Sequence, residues 1–99
     1  MGKGQWYVYI LANYTRSVLY VGITDDLVIR VHQHKQAITD GFTKRYNVKF
    51  LMYYEIAENP ISAIEREKQI KSWSRKRKHD LISLTNPEYK DLFDEIVNG

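Results

Sequence analysis

Two short β-forming runs, the second broken by a glycine, constrain this chain most. The first reads Tyr7-Val8-Tyr9-Ile10-Leu11 and the second Leu19-Tyr20-Val21-Gly22-Ile23-Thr24. The polar stretch Asn13 to Ser17 separates them, so the pair is expected to close as a hairpin. Gly22 stands where a strand would otherwise present a side chain. Tyrosine favours strands, so by itself this is an aromatic hairpin. Thr24-Asp25-Asp26 then opens a helix, with acidic residues in its first turn, and this helix carries Arg30 and His34.

The rest of the chain follows from the same signals. The hairpin strands are expected over 6–13 and 18–24, and the first helix over 26–37. Residues 38–48 read as a loop broken at Asp40-Gly41. A third strand, rich in aromatic and aliphatic residues, covers 49–56. Asn59-Pro60 starts a second helix that runs to Ser72 or Trp73. A shorter helix spans 76–84. Thr85-Asn86-Pro87 is expected to cap a last helix, in which Tyr89, Leu92, Phe93, Ile96 and Val97 follow helical spacing. The order is β-β-α-β-α-α-α. It predicts an α+β fold, a three-stranded antiparallel sheet flanked by helices, in one domain over residues 1–99.

Composition narrows the function classes. The 99 residues include no cysteine, which excludes disulfides, thiolate metal sites and a cysteine nucleophile and fits a reducing cytoplasm. No apolar run is long enough to span a bilayer, so no membrane partner is expected. Met1-Gly2-Lys3-Gly4 leads straight into a strand, without the apolar core of a secretion signal. The net charge of +3 says little. Its distribution says more: Arg66, Lys68, Lys71, Arg75, Lys76, Arg77, Lys78 and His79 crowd residues 66–79, while Glu88, Asp91, Asp94 and Glu95 gather near the end. A basic run is usually a solvated helix surface, and nucleic acid is the alternative. Trp73, inside this run, is expected in the core.

Three side chains disturb the packing pattern. Leu27 and Val31 mark the inward side of the first helix. In projection His34 falls within about 20° of Leu27 and Arg30 lies beside them. Both can reach towards the hairpin tyrosines Tyr9 and Tyr20. The plain alternatives are a snorkelling arginine and a satisfied boundary histidine. On the second helix, Ala63, Ile64, Ile70 and Trp73 form the apolar stripe, and Glu67 projects into it. Glu65 points away and should be solvated. A carboxylate set among apolar groups needs a cation, a metal or a wet cleft. Either a salt bridge, for example to Arg30, or a hard divalent ion satisfies Glu67. Asn86 reads as a helix cap, and Lys44 and Arg45 as loop charges or phosphate contacts.

In this order and spacing the residues resemble the GIY-YIG nuclease superfamily. The paired motif is Tyr7-Val8-Tyr9 and Tyr20-Val21-Gly22, followed by Arg30, His34, Glu67 and Asn86. The resemblance covers essentially the whole chain and is closest to a small, single-domain bacterial branch. The first triplet departs from the family pattern by lacking its glycine. The resemblance implies a divalent-metal-dependent endonuclease acting on DNA phosphodiester bonds, in DNA repair or recombination and selective for DNA structure, with RNA left open. Glu67 would hold one Mg²⁺ or Mn²⁺, mostly through waters. Arg30 would contact the scissile phosphate. Tyr9, or alternatively His34, would activate water, and Tyr20 would support that network. Lys44, Arg45, Lys71 and Asn86 would bind nucleic acid. The competing reading is a non-catalytic nucleic-acid-binding module that keeps the fold.

Overall fold

Strand β1 (Trp6–Ala12) is buried from Tyr7 to Ala12, and that burial explains its unbroken apolar sequence. A strand covered on both faces needs no polar alternation. It is the middle strand of the sheet. β2 (Leu19–Thr24) and β3 (Phe50–Ala57) pair with it on either side, both antiparallel, in the order β2-β1-β3. The computed structural model describes residues 4–37 and 41–99.

The pleat sorts β1 into two cores. Tyr7, Tyr9 and Leu11 pack with Leu27, Val31, Val48, Leu51 and Ile96. Val8, Ile10 and Ala12 pack with Val21, Met52, Tyr53, Ala63, Ile70 and Ile82. Each fully buried aliphatic side chain here contributes about 1.5–3 kcal/mol. A register shift opposite Ile10 and Leu11 skips Met52, which lets both Met52 and Tyr53 enter the second core.

Helix α1 (Leu27–Lys35) covers the first face. Its cap is Asp26, whose side chain accepts from the Ile29 amide. Thr24 instead bonds the Asp26 amide just ahead of the helix. The second face is covered by α3 (Pro60–Lys71), capped by Asn59 with Pro60 in its first turn, and α4 (Arg75–Thr85), capped by Ser74. The class, α+β with a three-stranded antiparallel sheet flanked by helices, is as the sequence predicts, and one short helix is added to the order. Among the described residues, no helix is long and apolar enough to cross a membrane.

Four expectations are corrected. The stretch read as a loop contains a one-turn helix, α2 (Gly41–Arg45), held because Thr43 and Val48 are buried and the Val48 amide donates to the Thr43 carbonyl. The expected break at Asp40-Gly41 falls partly outside the described residues. Ile64 is exposed, so the buried stripe of α3 narrows to Ala63 and Ile70. Trp73 lies only at the margin of the second core, with the Arg77 guanidinium 4.1 Å and the Arg66 guanidinium 5.2 Å from its ring centre. These cations cover the indole face that the core leaves open.

The largest correction concerns the chain end. No helix starts at Thr85-Asn86-Pro87. The last helix, α5 (Phe93–Asn98), begins at Leu92 without a side-chain cap. Residues before it serve strand β3 instead. The Leu92 amide donates to the Leu51 carbonyl, and the Leu51 amide donates to the Asp91 carboxylate. Buried backbone groups must find partners, and this demand outweighs the helical spacing that begins at Tyr89. Tyr89 itself adopts a left-handed backbone, φ 54°, which no helix continues through.

Candidate active site

The hairpin register sets Tyr9 directly opposite Gly22, and Tyr20 opposite Leu11. Tyr9 and Tyr20 are therefore diagonal neighbours on one face, with ring centres 6.3 Å apart. Helix α1 brings His34 onto them. Its Nε2 lies 3.1 Å from the Tyr9 hydroxyl, and its ring centre is 5.5 Å from that of Tyr20. Tyr9 and His34 are both buried, whereas Tyr20 is half-buried and forms the outward side of the group. Phe42 of α2 packs on Tyr20 with ring centres 6.0 Å apart.

Gly22 is required by space. A Cβ at this position would sit 2.6 Å from the Tyr9 hydroxyl, 2.7 Å from Tyr9 Cζ and 3.0 Å from Tyr20 Cε1. The glycine thus leaves the volume that the Tyr9 ring tip occupies beside His34. The Tyr9–His34 bond couples a phenol to an imidazole, a geometry along which a proton can pass from one to the other. The donor in this bond follows the imidazole tautomer. Tyr53 differs: burial first, then its hydrogen bond to Glu55 2.6 Å away, pushes it up to about 12. It remains a protonated donor and is not a base.

The other predicted residues are distributed as follows. Arg30 is half-buried one turn before His34 on α1, with Nη1 3.4 Å from Gln33 Oε1. Glu67 stands on α3, which packs on the opposite face of the sheet from Tyr9. It is partly exposed and its ionic partner is Lys71, 3.5 Å away. Glu65 is solvent-exposed as expected. Lys44 and Arg45 are exposed on α2, and the Arg45 guanidinium lies 5.5 Å from the Tyr46 ring centre. The contacts thus gather Tyr9, Tyr20 and His34, with Arg30 on the same helix as His34, while Glu67 pairs with Lys71 on α3.

Asn86 belongs to neither group. It is buried at the C-terminal cap of α4. Its Nδ2 donates to the carbonyls of Met52 (3.1 Å) and Lys90 (2.8 Å), and its Oδ1 accepts from the Lys90 amide. Both amide hydrogens are spent within the fold, where Asn86 serves as a structural bracket. Asn86→Ala would leave these buried groups unsatisfied, at about 1–3 kcal/mol for each. Chemical denaturation should show that loss, with nucleic-acid affinity of the folded fraction unchanged. Weaker binding at full stability would return Asn86 to the binding residues.

The donor set also bears on a metal. Among the described residues no group of three or more His, Asp or Glu side chains could hold an ion. That does not fit an all-protein cage of the kind zinc or calcium takes. It fits an ion held by one carboxylate and several waters, the manner of Mg²⁺, and Glu67 has the exposure for it.

Comparison with known proteins places this geometry. The model of the GIY-YIG catalytic domain matches residues 5–80. The chain belongs to the GIY-YIG family, a family of nucleases. It is 38% identical over 90 residues to the UPF0213 protein CPE1444 of Clostridium perfringens (strain 13 / Type A), a match covering 91% of this chain and 96% of that one. A UPF0213 protein of Haloquadratum walsbyi is 33% identical over 75 residues, covering 76% of this chain and 83% of that one. The solution NMR structure of the UPF0213 protein BH0048 from Bacillus halodurans superposes with a TM-score of 0.55 at 28% identity, covering 88% of this chain and 92% of that one.

Sequence reasoning left Phe42 in a loop and gave it no role, although the segment Gly41-Phe42-Thr43-Lys44 is among those that carry the resemblance.

Proposed function

We propose that this protein is an endonuclease that hydrolyses DNA phosphodiester bonds, selective for DNA structure, with one Mg²⁺ or Mn²⁺ at Glu67 and DNA repair or recombination as its setting. The observation that carries the reading is the buried Tyr9–His34 hydrogen bond in the space left by Gly22, in a chain of a nuclease family. Tyr9 orients and deprotonates the attacking water, and His34 behind it takes the proton. Tyr20, on the outward side, contacts the phosphate. Arg30 offers its planar fork to the phosphate oxygens as negative charge develops there. The divalent ion supplies Lewis-acid stabilisation of that charge. Lys44, Arg45 and Lys71 add phosphate contacts around this centre.

The Glu67–Lys71 pair also favours a second reading, a module that binds nucleic acid without turnover. A cleavage screen with branched, flapped, nicked, single-stranded and duplex DNA, with Mg²⁺, Mn²⁺ or EDTA, separates the two. The nuclease reading expects metal-dependent cleavage of at least one substrate, and a drop of about 100-fold or more in Tyr9→Phe. Binding without cleavage of any substrate supports the second reading.

A further inference from the structure

The crowd of positive charge in residues 66–79 is mostly used up within the fold. Arg66 pairs with Glu55, Lys71 with Glu67, and Lys76 with Asp80, while Arg77 lies on the Trp73 ring. Among the described residues Lys68, Arg75 and Lys78 have no carboxylate partner, and Lys68 is exposed on α3. Arg75 and Lys78 share one cavity of about 320 Å³ with Ser17, Val18 and Leu19. Among the described residues no acidic side chain lines it. An Arg75 Nη2–H donates to the Ser17 carbonyl, which fixes the guanidinium over the hairpin turn and leaves its other donors. Lys78 is half-buried in the wall, so its charge is less screened than that of an exposed lysine. The same Arg75 charge, after burial, holds His79 below the ordinary histidine range. The cavity opens at the start of edge strand β2, where Leu19 precedes Tyr20.

We propose that the Arg75–Lys78 cavity is an anion subsite that holds a non-scissile phosphate of a nucleic-acid strand running along the β2 edge towards Tyr20. A fixed guanidinium and an ammonium without a carboxylate between them suit a phosphodiester oxygen pair, one as a fork and one as a point charge. The subsite positions the strand and carries no sequence information. It rests on the nuclease reading for its role, but it can be tested apart from it.

The test is fluorescence anisotropy of single-stranded and duplex oligonucleotides in EDTA, titrated over a range of salt, with cleavage measured separately in Mg²⁺. Each phosphate contact contributes close to one unit to the salt slope. Lys78→Ala and Arg75→Ala should each lower that slope by about one and weaken binding by roughly 5- to 10-fold at 0.1 M salt. Lys78→Arg should retain most of the affinity. In Mg²⁺ the alanine variants should raise KM and leave kcat unchanged. If Arg75→Ala, Lys78→Ala and their double variant keep wild-type affinity and slope, the subsite is overturned whatever the cleavage results. A lost slope in a protein that cuts no substrate upholds the subsite and overturns the nuclease reading. Wild-type protein that binds phosphatidylserine vesicles through these residues, and oligonucleotides without them, also overturns it.

Discussion

Gly22→Ala is expected to cost this protein both stability and activity, although alanine adds only one methyl group. That methyl would lie 2.6 Å from the Tyr9 hydroxyl and 2.7 Å from Cζ. Tyr9 is fully buried and its ring has two torsions, so it cannot swing clear without breaking its bond to His34. Overpacking of this kind costs about 1–3 kcal/mol. In a domain of this size that lowers Tm by roughly 4–8 °C for each kcal/mol. Cleavage should fall with it, because the displaced hydroxyl no longer faces His34. A double-mutant cycle isolates the cause. In a Tyr9→Leu background the ring tip is gone, and most of the stability cost of Gly22→Ala should vanish. An alanine variant as stable and active as wild type would show that the Tyr9 position is not what Gly22 protects.

The second large effect is expected at Glu67 and Arg30, with the opposite balance between stability and activity. Glu67 is partly exposed and its pair with Lys71 is an ordinary i,i+4 contact, contributing about 0.2–1 kcal/mol. Glu67→Gln should therefore melt close to wild type. Loss of even an outer partner of a bound metal costs about 10–100-fold. A sole carboxylate ligand should cost more, so cleavage in Mg²⁺ should fall by more than about 100-fold. Arg30→Ala should reduce kcat by about 10²–10³-fold, as for any positioned donor at developing charge. Affinity for DNA in EDTA should change little in Glu67→Gln. Undiminished cleavage in both variants would show that the activity belongs elsewhere.

These two predictions differ in how far the sequence alone supports them. Tyr9, Tyr20, Arg30, His34 and Glu67 can all be selected from the sequence, because each breaks a packing period or completes a motif. The Tyr9–His34 contact follows from helix geometry, since a residue seven positions after Leu27 returns to within about 20° of it and faces the sheet. The position of Glu67 does not follow. Its place on α3 is periodic and local, but the face of the sheet that α3 covers depends on long-range packing of Ala63 and Ile70 against Val8, Ile10 and Val21. Sequence spacing carries no sign for that choice.

The failures at the chain end have the same origin. Tyr89, Leu92, Phe93, Ile96 and Val97 obey helical spacing, yet the helix begins only at Phe93. The Leu51 backbone needs partners, and residues 91 and 92 supply them. Asn86 shows this most plainly. Beside Pro87 it has every local mark of an N-terminal cap, and the fold uses it to close α4 and to tie β3 to Lys90. A side chain with several donors and acceptors takes the partners that folding brings to it.

By itself the sequence determined the hairpin, the central apolar strand, the capped helices α1 and α3, and the family, because those depend on residues close together in the chain or on their fixed spacing. It also marked Gly22 as a place where a side chain was missing. Only the tertiary structure decided what fills that place: the ring tip of Tyr9, pressed between two strands and a histidine from α1. It alone decided that Glu67 pairs with Lys71, and that Arg75 and Lys78 of the basic run share one cavity. The physical reason is common to all three. Volumes and charges are satisfied by whatever packs against them, and most of the neighbours that do so are distant in sequence.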